Sequence, residues 1–189
     1  MELIRTASAE FERAVRRLPA DSWDLPTPSE VTVRELVAHV VTGNDFTALL
    51  LAGVPRDEAR AAIAWDQLDG EPLAAVRESA ARQAAAFDAA PPSFVVPHPH
   101  GDIPVAAFLR FRLVDLVVHA WDLRRGAGLD ENLDPAVVRA LWELVAPYVD
   151  EMLAFGAYGE GPSGTLRPEA SLQLRLLDAF GRRPLLPLD

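Results

Sequence analysis

The sequence predicts an all-α protein built as one helical bundle with a C-terminal helical extension. Three observations carry this expectation. Apolar residues return every three or four positions in several segments, which is the pattern of an amphipathic helix rather than of a strand. Pro and Gly separate those segments, and both residues stop helices and build turns. The chain has 189 residues, half of them hydrophobic, enough for one substantial core. No repeat, low-complexity tract or long linker interrupts it, so residues 1–189 read as a single domain with a bundle core over about 1–128 and an extension over 129–189.

The first helix, over residues 2–18, carries Leu3, Ala7, Phe11, Val15 and Leu18 on one face and is ended by Pro19. Leu25-Pro-Thr-Pro-Ser29 is turn chemistry. Thr32 followed by Glu35 is a capping box that opens a second helix running to Leu51. Its stripe Leu36, His39, Gly43, Phe46, Leu50 is expected to turn His39 inward. After Gly53-Val-Pro55 an irregular or helical piece reaches Trp65, and a third helix spans about Pro72 to Ala89, stopped by Pro91-Pro92. Ser93–Val96 reads as a short extended segment, and Pro97-His98-Pro99-His100-Gly101 as a solvated loop. Pro104 suits the first turn of the next helix, which Gly126 and Gly128 end. Asp134-Pro135 caps and opens a helix toward Met152 with a break at Pro147. Gly156–Gly164 reads as loop and Glu169–Phe180 as a short amphipathic helix.

The chemistry concentrates in the apolar run Phe108–Leu123, which holds Asp115 and His119 four residues apart. Side chains at i and i+4 share a helical face, with Cβ atoms roughly 5–6 Å apart. A carboxylate buried in such a run without a partner costs several kcal/mol or takes up a proton, so a partner is needed. A divalent metal is one, with His39 as third ligand. Three imidazole and carboxylate ligands leave a position open on Zn²⁺, the arrangement of catalytic zinc sites, and the same set accepts Ni²⁺ or Fe²⁺. Arg112, one turn before Asp115, is another partner, and it also has the charge to attract an anionic substrate. Asp122, one turn beyond His119, has either the role of a hydrogen-bond acceptor fixing that imidazole or of a surface acid near the helix end. His98 and His100 add to the ligand count if their loop folds back over the bundle. Trp23 and Trp121 read as packing residues.

Composition excludes several function classes. There is no Cys, hence no disulfide, thiolate ligand or cysteine nucleophile, and any thiol chemistry needs a thiol brought from outside. All 18 basic residues are Arg, which excludes a lysine Schiff base and a P-loop lysine. The net charge of −10 argues against nucleic acid and anionic membranes as partners. No apolar run approaches the roughly 20 residues that span a bilayer, and Met-Glu-Leu-Ile-Arg5 lacks a signal-peptide pattern, so a cytoplasmic protein is expected.

Two segments together, Trp23-Asp-Leu-Pro-Thr-Pro-Ser-Glu-Val-Thr-Val-Arg-Glu-Leu-Val-Ala-His39 and Arg112-Leu-Val-Asp-Leu-Val-Val-His-Ala-Trp-Asp-Leu123, resemble the DinB-like family that includes the metal-binding domain of mycothiol-dependent maleylpyruvate isomerase. The resemblance implies an up-and-down four-helix bundle with extra C-terminal helices, and a divalent metal, usually zinc, on His39, Asp115 and His119. It implies mycothiol as thiol cofactor, a small thiol or electrophile as partner, and homodimers formed through bundle faces. Where the isomerase has a glutamate this chain has Asp115, and the family's frequent Cys-Glu-Gly-Trp reads Ser29-Glu30-Val31 here. Three functions stand open on this reading. One is a metal- and mycothiol-dependent isomerase or S-transferase acting on a small electrophile. The second is a non-catalytic metal-binding or dimerising bundle. In the third, no metal binds and His39 donates to Asp115 within a polar network.

Overall fold

A computed structural model describes residues 2–63, 68, 71–99, 101–156, 158 and 161–183, which leaves His100 and Trp65 outside the described residues. The chain divides into two compact units, Met1–Asn132 and Leu133–Asp189. The first contains α1 (Glu2–Arg16), α2 (Val33–Leu51), the short α3 (Arg56–Ala62), α4 (Pro72–Ala89), a hairpin of β1 (Val95–His98) and β2 (Gly101–Pro104), and α5 (Val105–Gly126). The protein is mostly helical, as the sequence predicts.

The local signals act where they stand. Thr32 Oγ1 accepts from the Glu35 amide while the Glu35 carboxylate accepts from the Thr32 amide, so the capping box starts α2. Pro72 starts α4 and Pro104 immediately precedes α5. The end of α5 lies tight against the 17–32 loop. A Cβ on Gly126 would stand 2.8 Å from the Pro26 carbonyl oxygen, so glycine is needed for the approach.

Four long helices form the bundle, and side-chain pairs give their directions. Arg5 pairs with Asp88 and Glu12 with Arg77, so α1 and α4 are antiparallel. Ser29, just before α2, reaches Asp122 late in α5, while Asn44 reaches Arg112 earlier in it, so α2 and α5 are antiparallel too. Phe87 meets Phe108, which sets the end of α4 beside the start of α5. The order of directions is therefore up, down, down, up. Strict alternation is broken between α2 and α4, where the long connection containing α3 returns the chain along the bundle. Both α1 and α2 pack on α4 and on α5, which places α1 and α2 at opposite corners.

The core between them is built of Phe11, Leu36, Leu50, Leu113, Leu116, Trp121 and Leu123, all fully buried. Each such side chain contributes about 1.5–3 kcal/mol on removal from water. On α2 the stripe Val33, Val37, Val40, Asn44, Thr47, Leu51 is buried, with spacings alternating between four and three. Leu36 and Leu50 of the stripe expected from sequence are buried as well, but the buried face also takes in Asn44 and Thr47 despite their polarity and leaves His39 out.

The extended segment is a two-stranded antiparallel hairpin, with Val95 opposite Pro104 and His98 opposite Gly101. Gly101 has φ 129°, a conformation that favours glycine at the turn. The hairpin packs on α5, and β1 also touches α2.

In the second unit, Asp134 caps α6 (Pro135–Val145), and a 3₁₀ turn, Ala146–Tyr148, interrupts the helix at Pro147 before α7 (Val149–Ala154). Helix α8 (Leu172–Ala179) packs on α6, and the Leu133 amide donates to Gln173 Oε1 at 2.9 Å. Among the described residues no helix is long and apolar enough to cross a membrane.

Candidate metal centre

Asp115 and His119 stand one turn apart on α5, and His119 Nε2 lies 3.1 Å from Asp115 Oδ1. His39 comes from the antiparallel α2, with Nε2 3.5 Å from the same oxygen. The two imidazoles meet edge to face, centroids 5.3 Å apart. One ligand atom from each of the three residues lies within 4.8 Å of the others. Two ligand atoms on one tetrahedral Zn²⁺ stand roughly 3.3 Å apart, given bonds of about 2.0–2.1 Å. The two short separations match that spacing, and the donors are of the type zinc takes. The residues therefore fit a divalent ion.

Burial differs across the group. The Asp115 and His119 side chains are 17% and 12% exposed, whereas His39 is 54% exposed. His39 thus sits at the rim of the groove between α2 and α5 and does not point into the core as its place in the expected stripe suggested. The buried face of α2 extends toward Val37 and Val40, on the side away from His39.

Both α5 members of the group are held from behind. Asp122 is fully buried, and its Oδ2 lies 2.9 Å from His119 Nδ1 and accepts from the Ser29 hydroxyl at 2.8 Å. A neutral His119 that donates from Nδ1 to Asp122 presents the Nε2 lone pair to the group. Arg112 is buried as well. Its Nη1 donates to Asp115 Oδ2 at 2.7 Å, its Nε to Gln83 Oε1 at 2.9 Å and its Nη2 to Asn44 Oδ1 at 2.9 Å. The guanidinium is thus spent on internal acceptors.

These contacts set the charges. Burial alone would raise the Asp115 pKa, but the charges of Arg112 and His119 outweigh it and hold the carboxyl well below its usual range. Burial alone would lower the His119 pKa, but Asp115 and Asp122 outweigh that and raise it to about 9. Without a metal the centre at neutral pH is a carboxylate between a guanidinium and an imidazolium. A metal binding there displaces the His119 proton.

His98 does not join the group. It is half-buried in β1, stacked on Phe111 at 5.7 Å and edge-on to Phe108, and its carbonyl accepts from Arg56. Within the solvated loop expected there, Pro97, His98 and Gly101 are strand residues and Pro99 is an exposed turn, and the His98 ring finds apolar partners on α5. Trp121 is buried, and Trp23 faces the Arg34 guanidinium at 5.4 Å. Asn44, Gln83 and Ser29, which complete the surroundings of the centre, were not singled out by sequence. Asn44 had one usable signal, its position seven residues beyond Val37 and four beyond Val40 in a repeating buried register.

Fold and centre together define a helical bundle carrying a candidate divalent-metal site of two histidines and one carboxylate. The model of the mycothiol maleylpyruvate isomerase N-terminal domain matches residues 4–124, and the chain belongs to that family. Two relatives from Mycobacterium tuberculosis, one from strain CDC 1551 / Oshkosh and one from strain H37Rv, both described as uncharacterized proteins, are each 34% identical over 132 residues, 68% of this chain and 68% of the relative. No solved structure matches.

Proposed function

We propose that the protein binds a divalent cation, zinc before nickel or iron, through His39, Asp115 and His119, and uses it to engage a low-molecular-weight thiol. The reaction would be an isomerisation or thiol transfer on a small electrophile in the cytoplasm, with mycothiol as the thiol that family membership suggests. The observation that carries this reading is the pairing of two well-held ligands on α5 with a third, half-exposed ligand on α2, which leaves the outer side of the group accessible. When bound, the ion supplies a positive charge that lowers the pKa of a coordinating thiol or water toward neutrality. Asp122 keeps the His119 ring in one orientation, and Arg112 keeps Asp115 ionised and turned toward the histidines. The absence of Cys means that the sulfur must arrive on a ligand.

One observation favours a second reading, a polar network without metal. Asp115 is already paired with Arg112, His119 and His39, so its charge does not demand an ion. Metal analysis of purified, untagged protein by plasma mass spectrometry separates the two, with about one ion per chain expected. The cobalt form is then titrated with mycothiol. Absorption changes in that form, absent from metal-free protein and from the His119→Ala variant, support the thiol-dependent enzyme. Full occupancy without thiol binding at millimolar concentration turns the assignment to a non-catalytic metal-binding or dimerising bundle.

A further inference from the structure

The inference rests on the metal reading above and concerns residues beyond the ligands. Behind Asp115 a hydrogen-bond chain crosses three helices. On α4, the Ser79 hydroxyl donates to the Val76 carbonyl at 3.2 Å, so its oxygen accepts from Asn44 Nδ2 at 3.1 Å. The amide of Asn44 is thereby oriented, and its Oδ1 must face Arg112 Nη2. Gln83, also on α4, presents Oε1 to Arg112 Nε. Ser79, Asn44 and Gln83 are at most 1% exposed, so none of these bonds competes with water.

Gly43 completes the seat. A Cβ there would stand 2.9 Å from Arg112 Nη1 and 3.2 Å from Nη2, so the guanidinium lies flat against α2 where only glycine leaves room. Three of its edges are then fixed, and Nη1 is aimed at Asp115 Oδ2. The consequence falls on the carboxylate. With Oδ2 committed to Arg112, Oδ1 alone faces the imidazoles, and the negative charge of Asp115 is balanced before any ion arrives.

We propose that Gln83 and Asn44 are positioning residues of the metal centre: by locking the Arg112 guanidinium they hold Asp115 as a one-oxygen ligand. Loss of the lock lets the guanidinium turn away, so that Asp115 swings and offers both oxygens. Outer partners of this kind typically alter metal affinity 10- to 100-fold.

The test uses the full chain and Co²⁺ alone. Affinity is read by competition with a chelator, coordination by the intensity and position of the cobalt absorption bands, and folding by circular dichroism and thermal melting. Gln83→Met and Asn44→Ala should each weaken Co²⁺ binding about 10-fold or more and change the absorption bands. Gln83→Glu, which still accepts from Arg112 Nε, should restore both toward wild type. A merely structural role would lower the melting temperature and leave the bands unchanged. Wild-type affinity and spectrum in whichever of Gln83→Met and Asn44→Ala folds overturn the inference while the metal reading stands. No Co²⁺ uptake by the wild-type chain overturns both.

Discussion

Helix α5 carries two buried charged clusters that differ in what they leave unspent. Near its C-terminal end, Arg124 is buried against the fully buried Glu10 of α1 and donates to the Asn132 carbonyl, while Arg13 lies 2.9 Å from the other oxygen of Glu10. Two turns earlier, Asp115 has one oxygen on Arg112 and the other facing two imidazoles. In the first cluster every partner of the carboxylate is a guanidinium, which is always a donor and never a ligand. In the second, two partners are imidazoles, which in the neutral form have a lone pair to offer a metal ion. A buried ion pair is therefore no sign of a functional site, and what distinguishes the two is imidazole with an accessible side.

That comparison breaks first at the ligands. His39→Ala and His119→Ala should each reduce bound metal to trace levels, since losing one of three ligands removes a bond and the geometry it enforces. Mass-spectrometric metal content near wild type in both would erase the distinction. Glu10→Ala should do the reverse, costing about 3–5 kcal/mol of stability by stranding a buried guanidinium, while metal content per folded chain is unchanged. Urea unfolding with metal analysis at low urea measures both. A smaller effect is expected of Asp122→Asn, which leaves the His119 tautomer unfixed and should weaken metal about 10- to 100-fold. Chelator competition would sink this if the variant matched wild type.

A separate effect is that of pH on the metal-free protein. The folded His119 pKa of about 9 lies above the ordinary value near 6.5. Its contribution to stability is therefore present in full below about pH 6.5 and lost as pH rises through about 9. For Asp115 the shift is downward, so its contribution persists at neutral pH and is lost only in acid, below the usual carboxylate range. Chemical unfolding of metal-free protein at a series of pH values should show stability falling between neutrality and pH 9, and His119→Gln should flatten that fall.

Much of this was legible in the chain. Thr32 with Glu35 and Pro72 mark helix starts through bonds and ring geometry local to a few residues. Asp115 and His119 were legible because i and i+4 meet whatever the tertiary structure does. The rest depended on distant partners. The partner strand Gly101–Pro104 was hidden by prolines, which lack the amide that makes a strand recognisable. Asn44 and Gln83 gain their role only from Arg112, which arrives from another helix. Glu10 is buried beside Ala7 and Phe11 on α1, and its partner Arg124 lies 114 residues away.

The crossover between α2 and α4 also has a consequence in time. Because α1 and α2 occupy opposite corners, α5 is a neighbour of both, and it emerges from synthesis after the other three bundle helices. Ser29 waits 93 residues for Asp122, and Glu10 waits longer for Arg124. Closing loops of that length precedes any reward from the contacts they allow, which slows folding. A nascent chain that has not reached residue 105 holds His39 with nothing for it to meet. The centre therefore cannot exist before α5 docks, because His39 on α2 meets Asp115 and His119 only there.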